Sequence, residues 1–234
     1  MGPDHTAVSA PHTSFVPALL DSTVGSNAEF PTGGDFKRLM DILIAVSALL
    51  ILTPLLIMVA AFIRLSTGDS PIFGHERIGF RGRSFRCLKF KTMVSNGDEV
   101  LARHFAEFPE ARAEWEAERK LRHDPRVTPL GRVLRSSSLD ELPQLINVLA
   151  GSMSIVGPRP IVAAEIERYG EVFGSYRSCR PGITGLWQVS GRSNCAYEQR
   201  VALDHAYARE WSVMRDCWII CKTVVVVVRR EGSC

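Results

Sequence analysis

Asp140 and Glu141 are adjacent carboxylates in a stretch, Asp124 to Pro160, that also carries Arg132, Arg135 and Arg159. Guanidinium forks match phosphate oxygens bidentately. Carboxylates can hold Mg²⁺ together with substrate phosphates. An ionised aspartate can also attack phosphorus and carry the product as an acyl-phosphate. The chemistry on offer is metal-assisted transfer at a phosphate or diphosphate. Arg180, Arg192, Lys89 and Lys91 add positive charge in other segments, and Gly157-Pro158-Arg159-Pro160 is a stiff turn presenting a guanidinium. Taken alone, Ser138-Leu139-Asp140-Glu141 has a structural reading too. Ser138 fits a helix N-cap and Glu141 its capping-box partner, with acids favoured in the first turn. The surrounding arginines are what turn the balance towards chemistry.

The elements that must position these groups can be read along the chain. Residues 139–150 are expected to be one helix and residues 160–176 another. Residues 72–94 read as short strands, with a hairpin turn at Gly79 and Gly82 and an alternating strand from Phe85 to Lys91. Residues 98–121 are charged and helical, split in two by Pro109. Residues 180–192 form a Gly-rich loop with one short strand. The last segment, Tyr197 to Arg230, starts helical and runs into Val224–Val228. Five valines favour a buried strand, whereas Trp211, Trp218, Arg229 and Arg230 suit an interfacial amphipathic helix, the favoured reading.

Before them comes an uncharged apolar run, Ile42 to Ile63, of 22 residues. As a helix it is about 33 Å long, enough for a bilayer core of about 30 Å. Pro54 lies near its middle and frees the Leu50 carbonyl, which the Thr53 hydroxyl could satisfy. The helix could cross the bilayer, or bend at Thr53-Pro54 and return. Lys37 and Arg38 flank one end and Arg64, Arg77, Arg81 and Arg83 follow the other, which leans weakly towards return. Residues 1–35, rich in Pro, Gly, Ser and Thr, read as a disordered tail without a secretory signal.

The full chain has 28 Lys and Arg against 25 Asp and Glu. The first 36 residues hold four acids and no Lys or Arg, so the body is distinctly basic and suits anionic partners. Nucleic acid is a poor one, because acids are interleaved throughout and Asp140-Glu141 sits among the arginines. The six cysteines fit no disulfide framework or zinc motif and read as free thiols in a reducing compartment.

Residues 36 to 231 resemble the bacterial sugar transferases, monotopic phosphoglycosyl transferases that start exopolysaccharide assembly on a polyprenyl carrier. The matching segments are FKRLMDILIA, the Thr53-Pro54 break, PIFGHERIGFRGRSFRCLKFKTM, the whole Asp124–Pro160 stretch, RPGITGLWQVSGR and WSVMRDCWIICKTVVVVVRR. The resemblance implies that Asp140 and Glu141 are a catalytic dyad. Asp140 is then the nucleophile and a Mg²⁺ ligand, attacking the sugar-bearing phosphate of a UDP-sugar, expelling UMP and passing the phosphosugar to undecaprenyl phosphate. It implies that Glu141 positions or exchanges protons, that Arg135 serves the dyad and substrate phosphate, and that Arg159 and Pro160 lie at the nucleotide-sugar site. Arg180, Gln188 and Arg192 fall in a third family motif. The implied fold is α+β and mostly helical, with a re-entrant membrane helix over residues 36–66, interfacial helices and a few short strands. Residues 67–234 would form a catalytic domain on the cytosolic face of the bacterial inner membrane. Ser152 stands where many relatives have an acid and is given no role. Larger relatives carry a multi-helix N-terminal module, so this chain reads as a minimal core with a tail. The wording GLWQVSGRS leans towards galactose or glucose. The valine-rich end and the tail could contact a second copy, which leaves a homodimer open. The competing reading is an inactive membrane scaffold of the polysaccharide machinery, and both dyad residues argue against it.

Overall fold

The computed structural model describes residues 30–118, 121–190 and 196–228. The expected tail over 1–35 lies almost wholly outside the described residues, as do Arg192, Arg229 and Arg230. The chain is mostly helical with four short strands among the described residues.

Helix α1 (Gly34–Thr67) contains the whole apolar run and continues through Pro54. A buried stripe, Lys37, Asp41, Ala45, Val59 and Ile63, faces the rest of the protein. Leu50, Ile51, Ile57, Phe62 and Leu65 are exposed on the other side. By length and composition α1 could cross a membrane. The Thr53 hydroxyl donates to the Leu49 carbonyl at 2.6 Å, not to the Leu50 carbonyl that Pro54 frees. The expected rescue is therefore corrected to an ordinary threonine back-bond, set by the four-residue reach of its side chain.

The hairpin forms as expected. Strands β1 (Ile72–Ile78) and β2 (Ser84–Phe90) pair antiparallel, with His75 opposite Cys87 and Phe73 opposite Lys89. Pro109 divides the charged segment into α2 (Gly97–Glu107) and α3 (Pro109–Glu118). Helix α4 (Pro129–Ser136), not anticipated, starts from Thr128, whose hydroxyl accepts the Gly131 N–H at 2.9 Å.

Two expected helices are broken. The expected helix over 139–150 is a 3-10 turn, Leu139–Glu141, followed by α5 (Gln144–Leu149). Pro143 has no N–H to continue the ladder between them. The capping box is also absent. Ser138 adopts a left-handed backbone (φ 57°), and its hydroxyl caps nothing. The expected helix over 160–176 becomes α6 (Ile166–Tyr169) and α7 (Phe173–Arg177), with 3-10 turns on either side of α6 and Gly170 at φ 47°. Short strands β3 (Ser154–Val156) and β4 (Gly182–Thr184) pair in parallel. Next come α8 (Leu186–Val189), α9 (Tyr197–Arg209) and α10 (Val213–Val228). The valines of α10 are helical, so the strand alternative falls. Ile219 and Val226 are buried, whereas Met214, Trp218, Val224 and Val225 are exposed, giving an amphipathic helix.

Helix α1 is part of the core. Before Pro54, Ala45 is buried with Cys87, Val148, Met153 and Ile219, and Ile44, Ala48, Leu49 and Leu52 pack alongside. After Pro54, Val59 and Ile63 are buried with Phe90 and Leu134, and Leu139 packs against them. Buried polar groups fix its start. Lys37 Nζ lies 2.5 Å from Asp216, which also accepts from Tyr207 (2.8 Å) and Trp211 (3.0 Å). Asp41 accepts from the Ser154 hydroxyl and the Ile155 N–H, both at 2.9 Å. Asn147 locks α5 to β2: its amide accepts the Leu88 N–H at 2.9 Å and donates to the Arg86 carbonyl at 2.8 Å.

Candidate active site

Strand alternation builds the first wall of the site. Phe73, His75 and Arg77 on β1, with Cys87, Lys89 and Lys91 opposite, all line one cavity of about 920 Å³. Successive side chains alternate across a hairpin, so one face turns this set inward together. The second wall is the turn at Ser138–Glu141. The left-handed Ser138 reverses the chain after α4, and Leu139 goes to the hydrophobic cluster under α1. Ser138, Asp140 and Glu141 then line the cavity. A left-handed non-glycine backbone costs roughly 1–2 kcal/mol, strain held where the surrounding fold over-determines it.

The third wall is the Gly157–Pro160 turn. Its Gly157 N–H donates to the Thr184 carbonyl at 2.9 Å, and the Gly182 N–H donates to the Pro158 carbonyl at 2.9 Å. The two backbones touch: a Cβ on Gly182 would lie 2.1 Å from the Gly157 nitrogen. No other residue type fits there. Beyond the turn, Ile161 donates to the Tyr176 hydroxyl at 3.2 Å, and that hydroxyl donates to the Ile78 carbonyl at 2.7 Å. The guanidinium of Arg77 donates to the Pro160 carbonyl at 3.3 Å. Arg159 lies over the Trp187 ring, 5.4 Å from its centroid.

Asp140 is buried, at 8 % exposure. Burial pushes its carboxyl above the usual aspartate range and Glu141 adds to this, while Lys89 and Arg135 oppose it. Lys89 Nζ sits 2.5 Å from Glu141 Oε1, so the second carboxylate is neutralised directly. Arg135 is oriented by its Nε, which donates to the Thr92 hydroxyl at 2.9 Å. Trp187 Nε1 and Gln188 Oε1 are buried without a hydrogen-bond partner and belong to residues that line the cavity.

The cavity thus gathers Asp140, Glu141, Arg135, Arg159, Pro160, Gln188, Lys89 and Lys91. Lys91 is already engaged by Asp69, at 3.0 Å. Arg180 is not brought to this cluster. Its Nε donates to the Gly151 carbonyl at 2.9 Å, while Arg38 donates to the Val148 and Leu149 carbonyls. Both guanidiniums serve the carbonyl end of α5, where the helix dipole favours cations. Sequence reasoning missed Arg77, His75, Gln144 and Arg126, which also line the cavity. The signal for Arg77 and His75 was their two-residue spacing from Phe73; Arg126 gave no such signal.

Among the described residues, no group of three or more His, Cys, Asp or Glu gathers to cage a metal. The donor set is two adjacent carboxylates, one of them desolvated and without a direct ion pair among the described residues. Such a set fits Mg²⁺, which binds through one or two carboxylates and takes its remaining ligands from substrate and water.

Comparison with known proteins gives a consistent picture. A family model described as "bacterial sugar transferase" matches residues 33–230. The exopolysaccharide production protein ExoY of Rhizobium meliloti is 48% identical over 225 residues, covering 96% of this chain and 99% of the relative. The undecaprenyl-phosphate galactose phosphotransferase of Salmonella typhimurium is 48% identical over 197 residues, covering 84% of this chain and 41% of the relative. The UDP-glucose:undecaprenyl-phosphate glucose-1-phosphate transferase of Escherichia coli is 39% identical over 197 residues, 80% of this chain and 39% of the relative.

Proposed function

The chain belongs to the bacterial sugar transferase family, and on that premise we propose that it moves a sugar-1-phosphate, galactose or glucose, from a UDP-sugar to undecaprenyl phosphate. The observation that carries this reading is Asp140: a desolvated carboxylate on a strained turn, facing a cavity walled by Arg135, Arg159 and Lys89.

In the first half-reaction an Asp140 oxygen attacks the sugar-bearing phosphorus. The bond from that phosphorus to the bridging oxygen breaks, and UMP leaves with the bridging oxygen. The product is an aspartyl-phosphosugar. In the second half-reaction a phosphate oxygen of the lipid attacks the same phosphorus, and the Asp140–phosphorus bond breaks. This yields the lipid diphosphosugar and restores the carboxylate. One phosphate site serves two substrates in turn. Desolvation raises the ground-state energy of the Asp140 anion and strengthens its pull on phosphorus. Arg135 and Arg159 supply fixed positive charge to the phosphate oxygens. Lys89 holds Glu141 in place beside the nucleophile. Asp140, with Glu141 beside it, would hold Mg²⁺, which when bound neutralises diphosphate charge. Trp187 and Gln188 offer a ring and unpaired polar groups for orienting the donor.

The membrane reading is that α1 enters the cytosolic leaflet of the bacterial inner membrane and returns. In support, residues on both sides of Pro54 pack onto the same globular body. A helix crossing the bilayer carries its far half away from that body. The exposed faces of α1 and α10 are apolar and suit the lipid interface.

The deciding experiment is UMP release from a panel of UDP-sugars by the detergent-solubilised protein, with Mg²⁺ and undecaprenyl phosphate. Release with one or two donors is expected and names the sugar. Folded protein that releases UMP from none of them would overturn the assignment.

A further inference from the structure

Arg77 lines the cavity but has no part in the reaction above. It lies on β1, with 17% of its side chain exposed. Its Nη1 donates to the Pro160 carbonyl at 3.3 Å and faces Glu165 Oε2 at 3.9 Å. Its Nε and Nη2 make no hydrogen bond among the described residues. These two groups form one edge of the guanidinium, the fork that matches a pair of phosphate oxygens.

A closed chain of contacts fixes Arg77 beside Arg159. The Ile78 N–H donates to the Ile161 carbonyl at 2.8 Å, which joins the end of β1 to the residue after Pro160. Glu165 accepts the Val162 N–H at 2.9 Å through Oε2, the same oxygen that faces Arg77. Its Oε1 lies 3.6 Å from Arg200. Arg200 and Arg159 both lie on the Trp187 ring, 5.3 and 5.4 Å from its centroid. The peptide bond from Arg159 to Pro160 closes the circuit.

Charge is out of balance around this turn. Among the described residues, Glu165 is the one carboxylate within ion-pair distance of Arg77, Arg159 or Arg200. The other acid whose charge reaches Arg159 and Arg200 is Asp204, which burial raises to about 7 and which is bonded to Tyr169. Burial and the neighbouring Arg159 pull the Arg77 pKa down, yet a guanidinium keeps its charge at any working pH. Like charges held together at a cavity wall leave a standing positive field, which a diphosphate would balance.

We infer that Arg77 is a further donor-binding residue, which grips the diphosphate of the nucleotide-sugar together with Arg159, and that Glu165 is the positioning residue that holds it there. The inference rests on the donor reading given above. Glu165 and the Pro160 carbonyl take the Nη1 side of Arg77 and leave its fork for the phosphate oxygens. Glu165 itself does not line the cavity and acts through the arginine.

The test is calorimetric binding of UDP and of uridine to the detergent-solubilised protein, two probes that differ only in the diphosphate. The wild type is expected to bind UDP more tightly than uridine. Arg77→Met is expected to weaken UDP roughly 10–100-fold and to leave uridine within about twofold. Glu165→Gln is expected to weaken UDP by a smaller factor, roughly 2–5-fold, again sparing uridine. A folded Arg77→Met that keeps the wild-type ratio of the two affinities overturns the inference, whether both affinities are retained or both fall together. If that variant does not fold, Arg77→Lys, which keeps the charge and loses the fork, takes its place with an expected loss of roughly 3–10-fold for UDP, and an unchanged ratio overturns the inference there. Unchanged UDP binding in Glu165→Gln overturns its positioning role. The donor reading fails separately: a wild type that binds UDP no better than uridine sinks that reading, whereas a preference that survives in Arg77→Met sinks only the role of Arg77.

Discussion

Lys89 places its ammonium 2.5 Å from Glu141 and leaves the neighbouring Asp140 without a salt bridge among the described residues. Two adjacent carboxylates thereby acquire different jobs. Glu141 is paired and held, whereas Asp140 is desolvated with no direct ion pair, its proton affinity raised although Lys89 and Arg135 pull the other way. A nucleophile benefits from that state, because a paired carboxylate would attack poorly.

Asp140→Asn is expected to abolish the covalent phosphosugar adduct, with turnover reduced at least about 10³-fold. The same change should stabilise the fold. The folded carboxyl titrates above its ordinary value of 3.8, so the wild type loses stability as pH rises through that raised value. The variant's advantage in melting temperature should be present at pH 7 and vanish in strong acid. Adduct formation at the wild-type rate, read by intact mass, would falsify the nucleophile assignment.

Lys89→Met removes a charge that lowers the Asp140 pKa and frees Glu141. The acid limb of the rate profile should shift to higher pH, with roughly 10- to 100-fold lower activity at pH 6.5. An unshifted limb argues against Lys89 acting through the carboxylates.

Chelation of divalent cations is expected to stop UMP release and Mg²⁺ to restore it. Turnover that persists in excess chelator excludes a metal at Asp140.

Lys37→Met leaves Asp216 buried and uncompensated beside Tyr207 and Trp211. It should cost about 3–5 kcal/mol, seen as earlier unfolding in detergent. Lys37→Met with Asp216→Leu should recover part of that loss. Equal melting of all three proteins would show the pair to be inert.

Thr53→Ala with Pro54→Ala removes the only proline in α1. On the re-entrant reading, a cysteine placed in the tail should become accessible to an impermeant reagent from the periplasmic side. Unchanged cytosolic labelling means Pro54 does not set topology.

Much of this architecture is written in local patterns. The apolar length of α1, the alternation from Phe85 towards Lys91 and the Pro109 break each carry their own signal, and each forms as expected. The site's cations were legible by type but not by destination. Arg159 reaches the cavity and Arg180 turns to the Gly151 carbonyl, because the parallel pairing of β3 and β4 sets which way each flank points. That pairing is non-local and leaves no mark in a window of sequence. The turn bearing Asp140 was misread for a related reason. Ser138 and Glu141 match a capping box, but Pro143 and the pull of Leu139 into the cluster below α1 override that local preference.

Leu139, next to Asp140 in sequence, packs in the same cluster as Val59 and Ile63 of α1. The anchor and the reactive turn are thus a single mechanical body. Trimming α1 to obtain a soluble enzyme would strip side chains from two of the hydrophobic clusters and loosen the floor beneath Asp140. If α1 enters a membrane, as proposed, the packing beneath Asp140 is expected to be completed only once that helix has found lipid. Reactivity should accordingly respond to the thickness and fluidity of the surrounding bilayer, as a drumhead responds to its frame.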